Sequence, residues 1–362
     1  MLEVEKKLSS RSVEIGGKQV GGGAPSWIVI ELGVTHEGDS NLARRMVRDS
    51  RAAGADAVKV ECIFPDALVA ASHRASLPYS YTSMRGTNIV ENYYELLQRV
   101  ALSPDEIKAL RDYAGEEGIP FFATAFDLKT VDYLVEIQSC AVKISSGEVS
   151  HLPLIRHAAQ SGLPVIIDTG RSSLADIARA VHAAEQAGCP IPVVMHNPSG
   201  YPAKPQNVNL PAIPALKAAL DVPVGFSCHS PGNDMALAAA ALGADIIEKP
   251  TTRDSSLEAD EHAFSVNMHE LGDYVSRIRD IELAMRLDRA KFFPPADPNQ
   301  FTFRQSLVAL QDIVAGDEIT QTALGFARPG FGIPPEFHDT VLGRRTKRSV
   351  ASGSLLSWDD IL

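Results

Sequence analysis

Between residues 27 and 250 short apolar runs alternate with amphipathic stretches about eight times. The runs are WIVIELG (27–33), AVKVE (57–61), FFAT (121–124), AVKI (141–144), LPVIIDTG (163–170), IPVVMH (191–196), VPVGFSCHS (222–230) and ADIIEKP (244–250). Most read as nearly continuous valine and isoleucine, the mark of parallel strands buried on both faces. The intervening stretches carry helical spacing: Leu42, Met46 and Val47 in one, Val131, Leu134 and Val135 in another, then alanine-rich runs at 177–187, 213–220 and 235–242. Helices are also predicted at 91–99 and 105–117. The second opens on Ser103-Pro104-Asp105-Glu106, an N-cap with proline at the first helical position and acids in the first turn. Eight strand–helix units within about 220 residues predict a closed (β/α)8 barrel over an open doubly wound sheet.

The flanks differ in kind. Residues 1–26 are polar and Gly-rich and predict a small hairpin ahead of the barrel, which spans 27–287. An insertion at 62–90, with Pro65 and Pro78, reads as an irregular loop over the top of the barrel. A helix at 268–287 leads out of it, and the proline-rich stretch 288–302 is a linker. Residues 303–362 form a second, small β-rich domain, in which two strand–turn patterns flank the loop ALGFARPGFGIPPE and its single arginine, Arg328.

The formal charge of −11 argues against nucleic acid or an anionic membrane as the main partner, while leaving room for an anionic small molecule held by local lysines. No stretch has the length of a membrane span, and the opening MLEVEKKLSSRS has no signal-peptide pattern. Four scattered cysteines without a CxxC pair point to a reduced, cytoplasmic setting.

In a parallel barrel the chemistry lies at the C-terminal strand ends. There the sequence places Glu31 and His36, Lys59 and Glu61, Thr124, then Lys143, Ser146 and Glu148. Asp168, His196, Ser199, Tyr201, Ser227, His229, Glu248, Lys249 and Glu261 follow. Lysine is almost never buried without a partner. Lys59 and Lys143 therefore either bind an anion, the reading favoured here, or pair with barrel glutamates. His36 and His196 read equally well as hydrogen-bonded rim residues.

The segments IELGVTHEGD, ADAVKVE, FFATAFD, VKISSGE, VIIDTGR, GYPA, VGFSCHSPG, IIEKP and EHAFS occur in the order found in the sialic acid synthase family. RPGFGIPP and VLGRRTKRSV resemble its C-terminal antifreeze-like (SAF) domain. The resemblance implies a TIM barrel followed by an SAF domain, in a homodimer in which each SAF domain caps the partner's barrel. It implies condensation of phosphoenolpyruvate with an N-acetylated hexose aldehyde to give a nine-carbon keto acid, for surface or spore coat polysaccharide. Lys59, Thr124, Lys143, Ser146 and Ser227 match the phosphoenolpyruvate site, and Glu31 an active-site acid. Glu148, Tyr201 and Glu261 match acceptor-sugar contacts, with Ser199 beside them and Arg328 reaching in from the partner subunit. His229 matches one of two histidines that hold a divalent metal, Mn or Mg.

The chain departs from the family pattern at four places. Pro250 stands where the second metal histidine belongs, Cys228 replaces an aspartate beside His229, Asp168 replaces a phosphate-contacting serine, and Glu261 replaces an aspartate. Two alternatives follow: a relative without the metal site that binds ligand or is catalytically silent, and a barrel whose donor is a different keto acid, with Arg171 paired to Asp168.

Overall fold

The computed structural model describes residues 11–285 and 298–362, which fall into two compact units, 1–286 and 287–362. In the first unit β1 (Ser12–Ile15) and β2 (Lys18–Gly21) form an antiparallel hairpin. The barrel strands begin with β3 (Trp27–Gly33) and β4 (Ala57–Glu61). A second hairpin, β5 (Pro78–Thr82) and β6 (Asn88–Asn92), interrupts them. The series resumes with β7 (Phe121–Ala125), β8 (Val142–Ile144), β9 (Val165–Asp168), β10 (Val193–His196), β11 (Val224–Ser227) and β12 (Ile246–Thr252). All eight barrel strands pair in parallel, and β11 pairing with β12 closes the ring as the alternation predicts. A short β13 (Val266–Asn267) extends the edge of β12.

Four of these strands start directly after a proline, at Pro120, Pro164, Pro192 and Pro223. Proline has no N–H to give a ladder, so it belongs at a strand's first position. Its carbonyl still accepts: Val142 N donates to Pro164 O at 2.9 Å, and Val194 N to Pro223 O at 3.0 Å. The helix Pro104–Glu116 carries the cap read from the sequence. Ser103 Oγ accepts from Glu106 N, and Glu106 Oε2 accepts from Ser103 N at 2.9 Å.

Outward-facing strand residues form one large core with the helices, including Ile28, Val58, Val142 and Cys228. Inward-facing residues at the N-terminal end form another, in which Ile15 and Val20 of the first hairpin pack with Trp27, Phe122, Ile166 and Met195. The hairpin thus plugs one end of the barrel and leaves the C-terminal end for polar groups. Among the described residues no helix is long and apolar enough to cross a membrane.

Two expectations need correction. Residues 62–90 are not an irregular loop: Tyr79 and Tyr81 alternate along β5, and its end is tied down by Thr82 N donating to Tyr201 O at 3.0 Å. The helix placed at 91–99 accordingly starts later, spanning Tyr93–Val100 with Asn92 as its cap. The helix leading out of the barrel spans Leu271–Met285. Residues 286 and 287, with most of the linker, lie outside the described residues, and the linker's end forms a helical turn at Gln300–Phe303.

In the second unit β14 (Ser306–Ala309) pairs antiparallel with β15 (Leu324–Ala327) around its own small core of Leu307, Ile319, Ile333, Val341 and Leu356. Isolated bridges such as Ile313–Val350 add the remaining β structure.

Candidate active site

The centre of the barrel's C-terminal end is a buried net of two lysines and three carboxylates. Glu248, on β12, is its hub. Its Oε1 accepts from Lys143 Nζ at 2.5 Å, from Ser227 Oγ at 2.9 Å and from Lys59 Nζ at 3.3 Å. Lys59 also pairs with Glu31, and Lys143 pairs with Asp168 Oδ2 at 3.0 Å. Asn197 Nδ2 donates to the same Asp168 oxygen at 3.0 Å. The lysines are 2% exposed, so the net is shielded from water. Burial works against a charged lysine, but Glu248 and Glu31 outweigh it and hold Lys59 well above its usual range. Asp168 and Glu248 likewise outweigh burial and raise Lys143.

Three carboxylates face two ammonium groups, so one acid is in excess. Burial pushes Glu31 up to about 7 against the pull of Lys59, and it raises Asp168 despite Lys143. Glu248, in contact with both lysines, is held far below the usual carboxylate range although burial opposes this. The reserve proton therefore belongs to Glu31 or Asp168. Thr124 Oγ1 and Asp168 Oδ1 are buried and have no hydrogen-bond partner. Such atoms are costly to leave unpaired, and they mark where a ligand's polar atoms belong.

Beside this net a cavity of about 270 Å3 opens, lined among others by Glu61, Ser146, Glu148, Arg171, Tyr201 and Glu261. The hairpin residue Tyr79 and Asp260 complete its wall. Burial raises the carboxyls of Glu61, Glu148 and Asp260, the last to about 7. Glu261 is raised well above its usual value, by burial first and then by Glu31, Glu61 and Asp260.

Of the predicted site residues, the structure brings together Glu31, Lys59, Thr124, Lys143 and Ser227 at the net, and Ser146, Glu148, Tyr201 and Glu261 at the cavity. Ser199 is exposed on the loop after β10 and lines no part of the cavity. Arg328 lies in the second unit, exposed, with its guanidinium 5.5 Å from the Phe303 ring centre. Asp168 pairs with Lys143, not with Arg171. Lys249 points away from the net, where its Nζ donates to Ser230 O at 2.5 Å and lies 3.4 Å from Cys228 Sγ. His36 and His196 are rim residues: Gly38 N donates to His36 Nδ1 at 3.1 Å, and His196 Nε2 donates to Val208 O at 2.7 Å. Sequence reasoning missed Asn197, which fixes Asp168, and Gly33, whose missing side chain makes room for Glu261.

The resemblance to the sialic acid synthase family implies a divalent metal held in part by His229. His229 is buried, stacked on Tyr201 at 5.0 Å and 5.2 Å from Phe264, and its Nδ1 has no partner. Burial lowers it to about 3, so the ring is neutral and able to ligate. It stands alone in this. Two residues beyond the Ser227–Glu248 pairing, the neighbouring strand offers Pro250, and Pro250 itself sits in register with Glu31. Cys228 is in the outer core beside Lys249, and Glu31, Glu248 and Asp168 are engaged by lysines. Among the described residues no three His, Cys, Asp or Glu side chains are grouped to hold a metal ion. The donor set does not fit the metal.

A (β/α)8 barrel with a lysine–carboxylate centre beside an acid-lined cavity, followed by a small β-rich unit, defines the architecture. The NeuB family model matches residues 46–289 and the SAF domain model residues 304–362. The chain belongs to the NeuB family. It is 32% identical over 366 residues to N,N'-diacetyllegionaminic acid synthase of Legionella pneumophila, covering 98% of this chain and 99% of that one. Among solved structures, N-acetylneuraminic acid synthetase of Leptospira borgpetersenii superposes with a TM-score of 0.69 at 30% identity, over 79% of this chain and 93% of that one. Spore coat polysaccharide biosynthesis protein SpsE of Bacillus subtilis superposes with a TM-score of 0.64 at 28% identity, over 97% and 99%.

Proposed function

We propose that the chain is a sialic acid synthase-type transferase that joins phosphoenolpyruvate to the aldehyde of an N-acetylated hexose, giving a nine-carbon keto acid for surface or spore coat polysaccharide. The observation that carries this reading is the pair Lys59 and Lys143, held side by side on Glu248 beneath an open cavity.

Both lysines stay charged, and the carboxylates around them act as counter-ions that an incoming anion displaces. Phosphate and carboxylate oxygens accept from Lys59 and Lys143, while Thr124, Ser146 and Ser227 supply hydroxyl donors. Anion entry is matched by protons on Glu31 and Asp168, whose raised values make uptake cheap at neutral pH. The acceptor sugar lies in the cavity against Glu148, Tyr201 and Glu261. In a homodimer, the exposed Arg328 of one subunit closes the partner's cavity. The four cysteines are free thiols, in keeping with a cytoplasmic enzyme.

The test is a calorimetric titration of phosphoenolpyruvate into the protein, followed by a phosphate-release assay with a panel of N-acetylated hexosamines. Micromolar binding and acceptor-dependent phosphate release are expected. Absence of phosphoenolpyruvate binding means that Asp168 has closed the anion site, and the synthase reading fails.

A further inference from the structure

The acceptor side of the cavity lacks the donors for a metal ion and has an excess of carboxyl groups. One of them is placed with unusual care. Glu261 takes a left-handed backbone, φ 66°, which non-glycine residues seldom adopt. Its Oε2 accepts from Val34 N at 3.0 Å. The carboxyl fits only because residue 33 is glycine: a Cβ there would lie 2.1 Å from Oε2 and 3.6 Å from Glu31 Cγ. The register of β3 shifts between Glu31 and Gly33, so the backbone bends just where the two acids meet. The charged groups acting most strongly on Glu261 are themselves acids, Glu31, Glu61 and Asp260. Carboxyls crowded together cannot all ionise, so a proton stays among them, facing the cavity.

We propose that this centre works without a metal ion, and that the carboxylic acid of Glu261 supplies the acceptor's aldehyde oxygen with the stabilisation and the proton that a metal centre would otherwise provide. The inference rests on the condensation reading above. In that reaction the C2=C3 π pair of phosphoenolpyruvate forms the bond to the aldehyde carbon. The carbonyl π pair moves onto oxygen, which takes the Glu261 proton and becomes a hydroxyl. Water adds its oxygen to the cationic C2, and its proton returns to the Glu261 carboxylate. The C2–O bond to phosphate then breaks, the C2 hydroxyl proton leaves with phosphate, and C2 becomes the ketone. Atoms and charge balance with no further reactant. Tyr201 lines the cavity wall against which the aldehyde is held, with the neutral His229 ring stacked on it.

Two measurements on the full chain test this. Mn2+ binding is followed by electron paramagnetic resonance for the wild type and for Pro250→His. The expected result is no stoichiometric binding in the wild type and a gained site in the variant, where a second imidazole joins His229. Turnover is then compared after chelator treatment and in Glu261→Gln. Chelated wild type is expected to keep its kcat within about twofold, and Glu261→Gln to lose at least about 100-fold, with phosphoenolpyruvate binding unchanged as proof of folding. One tightly bound Mn2+ per wild-type chain, turnover that disappears with chelator, or an undiminished Glu261→Gln enzyme each overturns the proposal. Phosphoenolpyruvate binding without turnover of any acceptor, with or without Mn2+, sinks the condensation reading and the Glu261 role together. The Mn2+ spectra decide the metal half separately.

Discussion

Lys143 and Glu248 meet at 2.5 Å across the barrel interior, each no more than 2% exposed, and Glu248 Oε1 receives Lys59 and Ser227 as well. Removing one member of a buried ionic cluster leaves charge without compensation, typically at a cost of about 3–5 kcal/mol. Glu248→Gln keeps an acceptor oxygen, and Glu31 and Asp168 still oppose the lysines, so we expect about 2–4 kcal/mol in urea unfolding. The sign with pH follows from Glu248 lying far below its usual value when folded. Its stabilisation is full above the unfolded carboxylate value of about 4.3 and is lost as pH falls below it. The gap between variant and wild type should shrink in acid, as the carboxyl of the unfolded chain takes up its proton. The same variant leaves the lysines more positive, so phosphoenolpyruvate should bind more tightly, not more weakly.

Asp260 behaves in the opposite sense. Buried beside Glu61 and Glu91, it is pushed up to about 7, so the folded state holds its proton more firmly than the unfolded chain does. Stability then falls as pH rises from about 4 to about 7 and stays low above that. Asp260→Asn keeps an oxygen to accept from Glu261 N, a 3.0 Å bond in the wild type, and removes the charge. We expect little change at pH 4 and a gain of roughly 2–4 kcal/mol at pH 8, read by urea unfolding at the two values. An equal effect at both pH values would refute the assignment.

The barrel was legible because buried parallel strands announce themselves as valine–isoleucine runs and because strand ends gather polar residues. What was not legible is which of those residues face each other. Glu248 and Lys249 are neighbours in sequence, yet period-two alternation sends one to the central net and the other to the outer core beside Cys228. The lysines read as an anion site also turn out to be held by three carboxylates, one of which, Asp168, comes from a strand end that looked merely mismatched. Residues 62–90 hid a hairpin because its alternation, Tyr79 and Tyr81 inward, is short and starts at a proline. Gly33 carries no side chain to read, and its role emerges only from the carboxyl that fills its space. Ser199, on the loop after β10, is exposed.

Gly225 sets a packing limit inside the barrel. A Cβ there would come within 2.4 Å of Met195 Sδ, 2.7 Å of Ile246 Cβ and 2.9 Å of the Ile246 carbonyl oxygen. A thioether can move aside, but a neighbouring strand's backbone cannot. Gly225→Ala should therefore cost about 3 kcal/mol in thermal or urea unfolding. Gly272, in the helix Leu271–Met285, has nothing within 4 Å of the corresponding position. Gly272→Ala should instead stabilise by up to about 0.5–1 kcal/mol, since alanine loses less backbone freedom in a helix. Both changes add one methyl group, so opposite signs isolate packing from propensity.

The intersubunit role proposed for Arg328 can be tested by mixing two inactive proteins. Arg328→Ala removes the guanidinium stacked near Phe303 and leaves the first unit's residues untouched. Lys143→Gln removes one lysine of the net, and Asp168, already raised by burial, can take a proton to relieve the lost pair. Each variant alone should bind or turn over substrate poorly. If the arginine serves the partner's barrel, half of the dimers formed from an equal mixture are hybrids, and each hybrid holds one site with both an intact net and an intact arginine. Unfolding is unnecessary if subunits exchange, and co-expression with two affinity tags avoids the question. Activity of the mixture should rise to about one quarter of wild type, and the purified hybrid to about one half. If the arginine serves its own barrel, each hybrid holds one site lacking Arg328 and one lacking Lys143, and no activity returns.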